Sequence, residues 1–423
     1  MWFRIFPFKG FIMSPVGVKP SKNFIIIILG ILTTVNPFSI DMYLPAFDSL
    51  SKDLQTSKEV LSLTLASYFI GIAIGQLFYG PLLDRFGRKK PLLFGLGIFI
   101  IASLGCLFAQ NVDQLIAFRF LQAIGGCAAQ VGAMTMVRGF FPIEENAKVF
   151  SLLVLVLSVS PLLAPSIGSM IATWLGWQFI FALLIGITTL ICLMIYLFLP
   201  TKYQPDTTVS LRIKPIFYNY LLIIRQPQFI TFALAGALSM TGLFVYIAAS
   251  PMIFMEVYGV NSKVYGLIFA LLSLGFIGSS QINAQLSKKF RPNPIFKAGL
   301  SIQVIIALLF LLGVTYYWYN IYTTFAFIFL LLACLGLTYP NAAAMAIAPF
   351  TSNIGSASAL LGFLQIGIAG LVAGCLSLFD ARNKILPPAL LMAVMPLIGL
   401  FILFWGLRRF TPTLHNSSAA PPH

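Results

Sequence analysis

From Phe24 onward the chain alternates between long apolar runs and short polar interruptions. A run of roughly 18–25 mostly apolar residues crosses about 30 Å of hydrocarbon as helix. Twelve runs qualify: 24–47, 60–83, 91–110, 114–137, 147–172, 177–199, 228–252, 264–286, 295–314, 320–345, 353–379 and 387–407. An even number returns the chain to the side on which it began. The longest internal polar segment, TKYQPDTTVSLRIKPIFYNY over 201–220, divides the runs six and six. The pattern predicts an all-α integral membrane protein with 12 transmembrane helices in two six-helix bundles. A tail spans 1–23, the first bundle 24–199, a linker 200–227, the second bundle 228–407 and a second tail 408–423. Two six-span bundles around a central site are the layout of a rocking transporter.

Composition agrees with the pattern. Hydrophobic residues make up 59% of the 423 and charged residues 9%, with a mean hydropathy of +0.95; soluble domains carry about a quarter charged residues. The net charge of +15 is not gathered on a nucleic-acid-binding stripe. Of the 26 Lys and Arg, twenty lie on one predicted side: the N-terminal tail, the 84–90 loop, Arg138 and Lys148, the linker, the 287–297 loop, and Arg408 and Arg409. Five lie on the other side (Lys52, Lys58, Lys263, Arg382, Lys384), and Arg119 falls within a span. The positive-inside rule therefore puts both termini in the cytoplasm. The five cysteines lie in apolar runs without CxxC spacing, which predicts free buried thiols and no metal site. Both histidines fall in the C-terminal tail and no GxxxxGK[ST] loop occurs, so neither a histidine base in the membrane nor ATP hydrolysis is expected. The first span reads as uncleaved, with Met13 as an alternative start.

The loop after the second span reads GPLLDRFGRKK over 80–90. Gly80 and Gly87 would permit close helix approach and a tight turn, and the basic cluster would anchor to anionic headgroups. This ordered GxxxDRxGRKK pattern resembles the signature between the second and third helices of the major facilitator superfamily. The resemblance implies that Gly80, Asp84, Arg85, Gly87 and Arg88 form a conformational element bracing the bundles at the cytoplasmic face, with Asp84 as its pivot. IDMYLPAF (40–47), RFLQAIGGCAA (119–129), VYIAASPMIFMEVYGV (245–260) and GSASALLGFLQ (355–365) are similar to the Bcr/CflA drug-resistance branch. That branch exports bicyclomycin, chloramphenicol-type and other drugs in exchange for protons. LSVSPLLAPSIGSMI (157–171) keeps the APxxG part of the antiporter motif.

Within the first half, Asp41 and Arg119 are the charges set deep inside spans, at predicted depths of about 9 and 8 Å from the outer surface at 1.5 Å per residue. Intramembrane charges face bundle interiors and often pair. Arg119, Gln122, Gly126 and Gln130 share one helical face, as a helix lining a wet cavity would show. Asp41 is therefore expected to carry the proton, stabilised by Arg119 when ionised; a static ion pair is the structural alternative. Tyr43, Tyr68, Gln122, Tyr246, Asn341 and Gln365 are candidates for lining a pocket for lipophilic cargo, each of them equally able to serve packing alone. Glu256, Asp380 and Asp113 read as solvated helix ends. The expected function is a monomeric, proton-coupled exporter of small lipophilic drugs in a bacterial inner membrane, needing no cofactor beyond the proton gradient. An exporter of a dedicated metabolite or siderophore, an uptake symporter and a non-transporting membrane sensor are the alternatives.

Overall fold

The computed structural model describes residues 21–140, 143–199, 213–350, 354–379 and 384–412. Helix starts follow local chemistry. Ser21 accepts from the Phe24 amide to cap α1 (Lys22–Asp41), and Ser57 caps α3 (Lys58–Phe86) in the same way. Asn261 caps α10 (Ser262–Leu286), while Asn320 and Thr323 form a reciprocal capping box on α12 (Ile321–Ile347). Gly87 ends α3 at φ +77°, a conformation that favours glycine, and turns the chain into α4 (Lys89–Leu107). The remaining long helices are α5 (Val112–Phe140), α6 (Ile143–Trp174), α7 (Gln178–Phe198), α9 (Pro227–Pro251), α11 (Pro292–Thr315), α13 (Ile354–Gly374) and α14 (Leu386–Leu407). Among the described residues eleven segments are long and apolar enough to cross a membrane. The 32-residue α6 is the twelfth helix of sufficient length.

Two shorter helices complete the chain. The first predicted span does not run unbroken to Phe47. Its helix stops at Asp41 and passes through a 3-10 turn, Leu44–Ala46, into α2 (Phe47–Asp53). The reason is Pro45, which has no N–H to give the Asp41 carbonyl four residues back. Asp41 is thus a helix end rather than a mid-helix residue. Of the predicted linker, 200–212 lies outside the described residues, and 213–224 forms the amphipathic α8 (Ile213–Ile224). Tyr220 donates to the Leu77 carbonyl on α3 (3.1 Å) and Asn219 to Ser356 on α13 (3.0 Å), so this helix touches both halves.

Each six-helix half packs round its own interior, and the halves meet along α3–α13 and α6–α10. Small residues allow the approach: Gly370 lies against Phe69, Gly374 against Ala66, and Gly362 against Gln76. Exposed apolar side chains such as Phe94, Ile101 and Phe401 face outward, as helices in hydrocarbon require. The cysteines are all free, three buried and Cys192 and Cys375 half-buried.

The signature loop behaves partly as expected. Lys89 donates to the carbonyls of Tyr196 and Leu199 (2.9 Å each), tying the start of α4 to the end of α7 inside one bundle. Gly87 makes its tight turn, but beyond its own helix backbone and chain neighbours no described atom lies within 4 Å of where a Gly80 Cβ would stand. Close helix approach at Gly80 is therefore not what the structure shows. The side chain of Asp84, and residues 1–20, 380–383 and 413–423, lie outside what it describes.

Candidate functional site

Asn36, Ser39, Thr64, Ser103 and Gln122, buried polar residues of the first half, gather around Arg119, which is 0% exposed. Its Nη1 donates to Ser39 Oγ and to Gln122 Oε1, both at 2.7 Å. Gln122 also accepts from Ser39 (3.3 Å) and passes its own amide to Ser103 on α4 at 2.7 Å. The guanidinium carbon lies 4.7 Å from the Tyr43 ring centre and 4.2 Å from that of Tyr68. Those rings are fixed in turn: Tyr43 bonds Thr64 (2.9 Å), and Tyr68 donates to Asn36 Oδ1 (2.9 Å). One cation thus ties α1, α3, α4 and α5 together. Among the described residues it has no carboxylate within ion-pair distance, and its Nε and Nη2 have no hydrogen-bond partner. Such a charge is costly in an apolar bundle. Oxygen dipoles and two ring faces offset part of that cost.

The expected pairing of Asp41 with Arg119 is not present. Ser39 and Asp41 are two residues apart on α1, hence about 200° apart around its axis. The face that gives Ser39 to Arg119 turns Asp41 away. Asp41 is 5% exposed, and among the described residues its carboxylate has no hydrogen-bond or ion-pair partner. The turn that follows it, Leu44–Ala46, packs against α9 and α10 of the other bundle, where Tyr246 and Tyr265 are buried. Tyr265 is bonded to Ser250 at 2.8 Å; the buried Tyr246 hydroxyl has no partner, and its ring stacks on Phe269. Nearby, Phe69 and Phe244 meet edge to face across the seam at 4.4 Å. The APxxG segment closes this corner: Pro165 and Ser166 lie against Gly266 of α10, and the backbone at Met42 fills the space a Gly168 side chain would need.

The family model described as Major Facilitator Superfamily matches residues 29–374. The chain belongs to the major facilitator superfamily. This facilitator is 30% identical over 384 residues to the uncharacterized MFS-type transporter YdgK of Bacillus subtilis, covering 90% of this chain and 94% of that one. It is 32% identical over 285 residues to a bicyclomycin resistance protein homolog of Haemophilus influenzae, covering 67% and 72%. Multidrug resistance protein D of Escherichia coli is 27% identical over 412 residues, covering 94% and 99%. These relatives place the facilitator with the drug-resistance branch, as a transporter and not an enzyme. A D-xylose-proton symporter superposes with a TM-score of 0.73 at 17% identity, covering 90% of this chain and 97% of that one. At that identity the likeness concerns the fold alone.

The residues singled out in the sequence separate into three places. Tyr43, Tyr68 and Gln122 surround Arg119 inside the first bundle, and the α5 face that carries Arg119 and Gln122 is packed against α1 and α4. Gly126 lies on that face as well, with Asn36 occupying the space its side chain would take. Asp41 and Tyr246 share the seam between the bundles. Asn341 is spent on Asn283 Oδ1 (2.6 Å) and the Leu337 carbonyl (2.7 Å), which ties α12 to α10. Gln365 is buried between α13 and α9 near Gly236, with its Nε2 unpartnered. Reading charges first missed Asn36, Ser39 and Ser103. The first two carried a signal, since polar residues at i and i+3 in an apolar helix share one face.

Proposed function

We propose that this facilitator is a monomeric proton-coupled antiporter that exports small lipophilic drugs of the bicyclomycin and chloramphenicol type. It works in a bacterial cytoplasmic membrane with its basic face and both termini in the cytoplasm, and draws on the proton gradient without a cofactor. The observation that carries this reading is Asp41, a carboxylate with no partner among the described residues, at the meeting of the two bundles. A bare carboxylate is costly in a dry apolar seam and well solvated once the seam opens to water. Proton binding at Asp41 therefore changes with the same motion that admits or releases cargo. Arg119 acts through α1, holding Ser39 and so the helix end that presents Asp41. The names of the relatives support drug-type cargo. The unpartnered Tyr246 hydroxyl and Gln365 amide support a cargo with polar groups as well, which also suits a dedicated metabolite or siderophore.

The test is drug accumulation in bacteria stripped of their own pumps, expressing either the wild type or Asp41→Asn. Chloramphenicol, florfenicol, bicyclomycin and a lipophilic cation form the panel, with and without a protonophore. Low accumulation in the wild type alone, abolished by the protonophore, is the expected result. Equal accumulation of every compound in both strains would remove the drug-export reading. Protonophore-sensitive export by Asp41→Asn would remove Asp41 from the mechanism.

A further inference from the structure

On the face opposite the basic loops, one cation stands between the two bundles. Lys384, just before α14, holds its ammonium 3.4 Å from Glu59 Oε1 in the first turn of α3, and in direct contact with Glu256 Oε1. Glu59 belongs to the first bundle and Glu256 to the second, so Glu256 is no mere solvated helix end. The neighbouring ionic contacts stay inside the first bundle, where Lys58 pairs with Asp48 and the Trp177 indole donates to Asp53 at 2.8 Å; a neutral hydrogen bond from Ser262 to the Pro45 carbonyl (3.3 Å) also crosses the seam. Among the described residues at this face, Lys384–Glu59 is the ion pair that crosses the seam.

The surroundings fit a joint that opens. Glu256 rides on a π-helical turn, Met252–Val257, directly after Pro251; such widened turns often sit at functional positions. A cavity of about 360 Å³ lies beside the ion pairs, lined from both bundles by Glu59, Val60, Met252, Leu376 and Lys384. Below it α3 and α13 close together at Ala66–Gly374. Empty space under a bridging cation leaves room for the helix ends to part.

We propose that Lys384 is a positioning residue for transport: it clasps the two bundles shut at this face, and letting go of Glu59 opens the cavity to that side. Glu256 moves with Lys384, so the ammonium keeps one carboxylate when the seam parts, and only Glu59 is released. Partly exposed pairs are individually weak, which suits a contact that must break in every cycle. The inference rests on the transporter cycling between two closures of the seam.

The test places a cysteine at Met252, which is 8% exposed and lines the cavity, in a chain carrying Cys192→Ala and Cys375→Ala. The full-length protein in lipid nanodiscs is labelled with a charged methanethiosulfonate, without cargo or proton gradient. Glu59→Gln and Lys384→Gln are expected to speed labelling about 3- to 10-fold, in line with the weakness of exposed pairs. Lys384→Arg should stay within about twofold of the parent because it keeps the charge, and Glu256→Gln should have the smaller effect of the two carboxylate variants. Parental labelling of Glu59→Gln would overturn the clasp, as would equal rates for Lys384→Arg and Lys384→Gln. Should Lys384→Gln fail to fold, Glu59→Gln decides alone. Neither cargo nor protons enter this assay, so its failure leaves the export reading standing. Failure of the accumulation assay leaves the clasp standing.

Discussion

Arg119 offers a measurement in which intuition and the structure disagree. It is the most enclosed charge among the described residues of the first bundle, so replacing it would be expected to weaken the fold. The geometry says otherwise. Arg119→Met removes a cation with no carboxylate beside it, relieving a desolvation cost of several kcal/mol. Against that stand two hydrogen bonds at 2.7 Å and two ring contacts. Bonds to a charged group contribute about 1.5–3 kcal/mol each and desolvated cation–π contacts up to about 2. The terms oppose each other at comparable size, and the expected change is smaller than about 2 kcal/mol. Gln122→Leu is the contrasting variant, because it keeps the buried charge and removes one of its two acceptors. It should lose about 2–3 kcal/mol. At roughly 1–2 °C per kcal/mol for a chain of this size, by extension of the usual scaling, that is about 2–6 °C in apparent Tm. Thermal unfolding of both variants in detergent, followed by intrinsic fluorescence, reads the difference. A larger drop for Arg119→Met than for Gln122→Leu would refute the reasoning and show that the cation is held for stability.

Other outcomes follow from single contacts. Tyr246→Phe removes a buried hydroxyl that has no partner among the described residues, so apparent Tm should hold or rise by the equivalent of about 1 kcal/mol; a clear fall would mean the hydroxyl is bonded in the folded protein. Gly168→Val would drive a side chain into the Met42 backbone, costing about 3 kcal/mol or more, whereas Gly80→Ala meets open space and should be neutral in a thermal melt. The hydrogen bond from Lys384 to Glu256 holds its ammonium above the ordinary lysine value of 10.5. A raised folded value means the stabilisation is complete below the unfolded value and is lost as pH climbs through the folded one. The Lys384 contribution to slow labelling at Met252→Cys, normalised to a free thiol, should therefore be flat between about pH 7 and 9 and fade only above 10.5. A loss of protection within the flat window that Lys384→Arg abolishes would contradict it.

The all-helical membrane fold and its succession of spans were legible in the chain because hydrocarbon imposes a length on every crossing helix. Gly87 was legible too, since a sharp turn before α4 needs a positive φ that few residues tolerate. The charges Asp41 and Arg119 were found at once, because a charge in an apolar run has no ordinary explanation. Their relation was not legible. Similar depth and opposite sign suggested a pair, but depth says nothing about azimuth, and about 200° of helix separates Asp41 from the face that meets Arg119. The break after Asp41 was encoded by Pro45, four residues on.

What the sequence determined by itself was therefore one-dimensional: which segments lie in the membrane, which ends carry charge, and which residues are too polar for where they sit. Tertiary structure alone decided the partners. It gave Arg119 two tyrosine faces instead of a carboxylate, set the turn after Asp41 against α9 and α10, spent Asn341 on Asn283, and set Lys384 between Glu59 and Glu256. Glu59 and Lys384 are more than three hundred positions apart in the chain. Hydropathy places a helix along the membrane normal, but the way it is rotated is set by packing against its neighbours, and that rotation decides which polar groups meet.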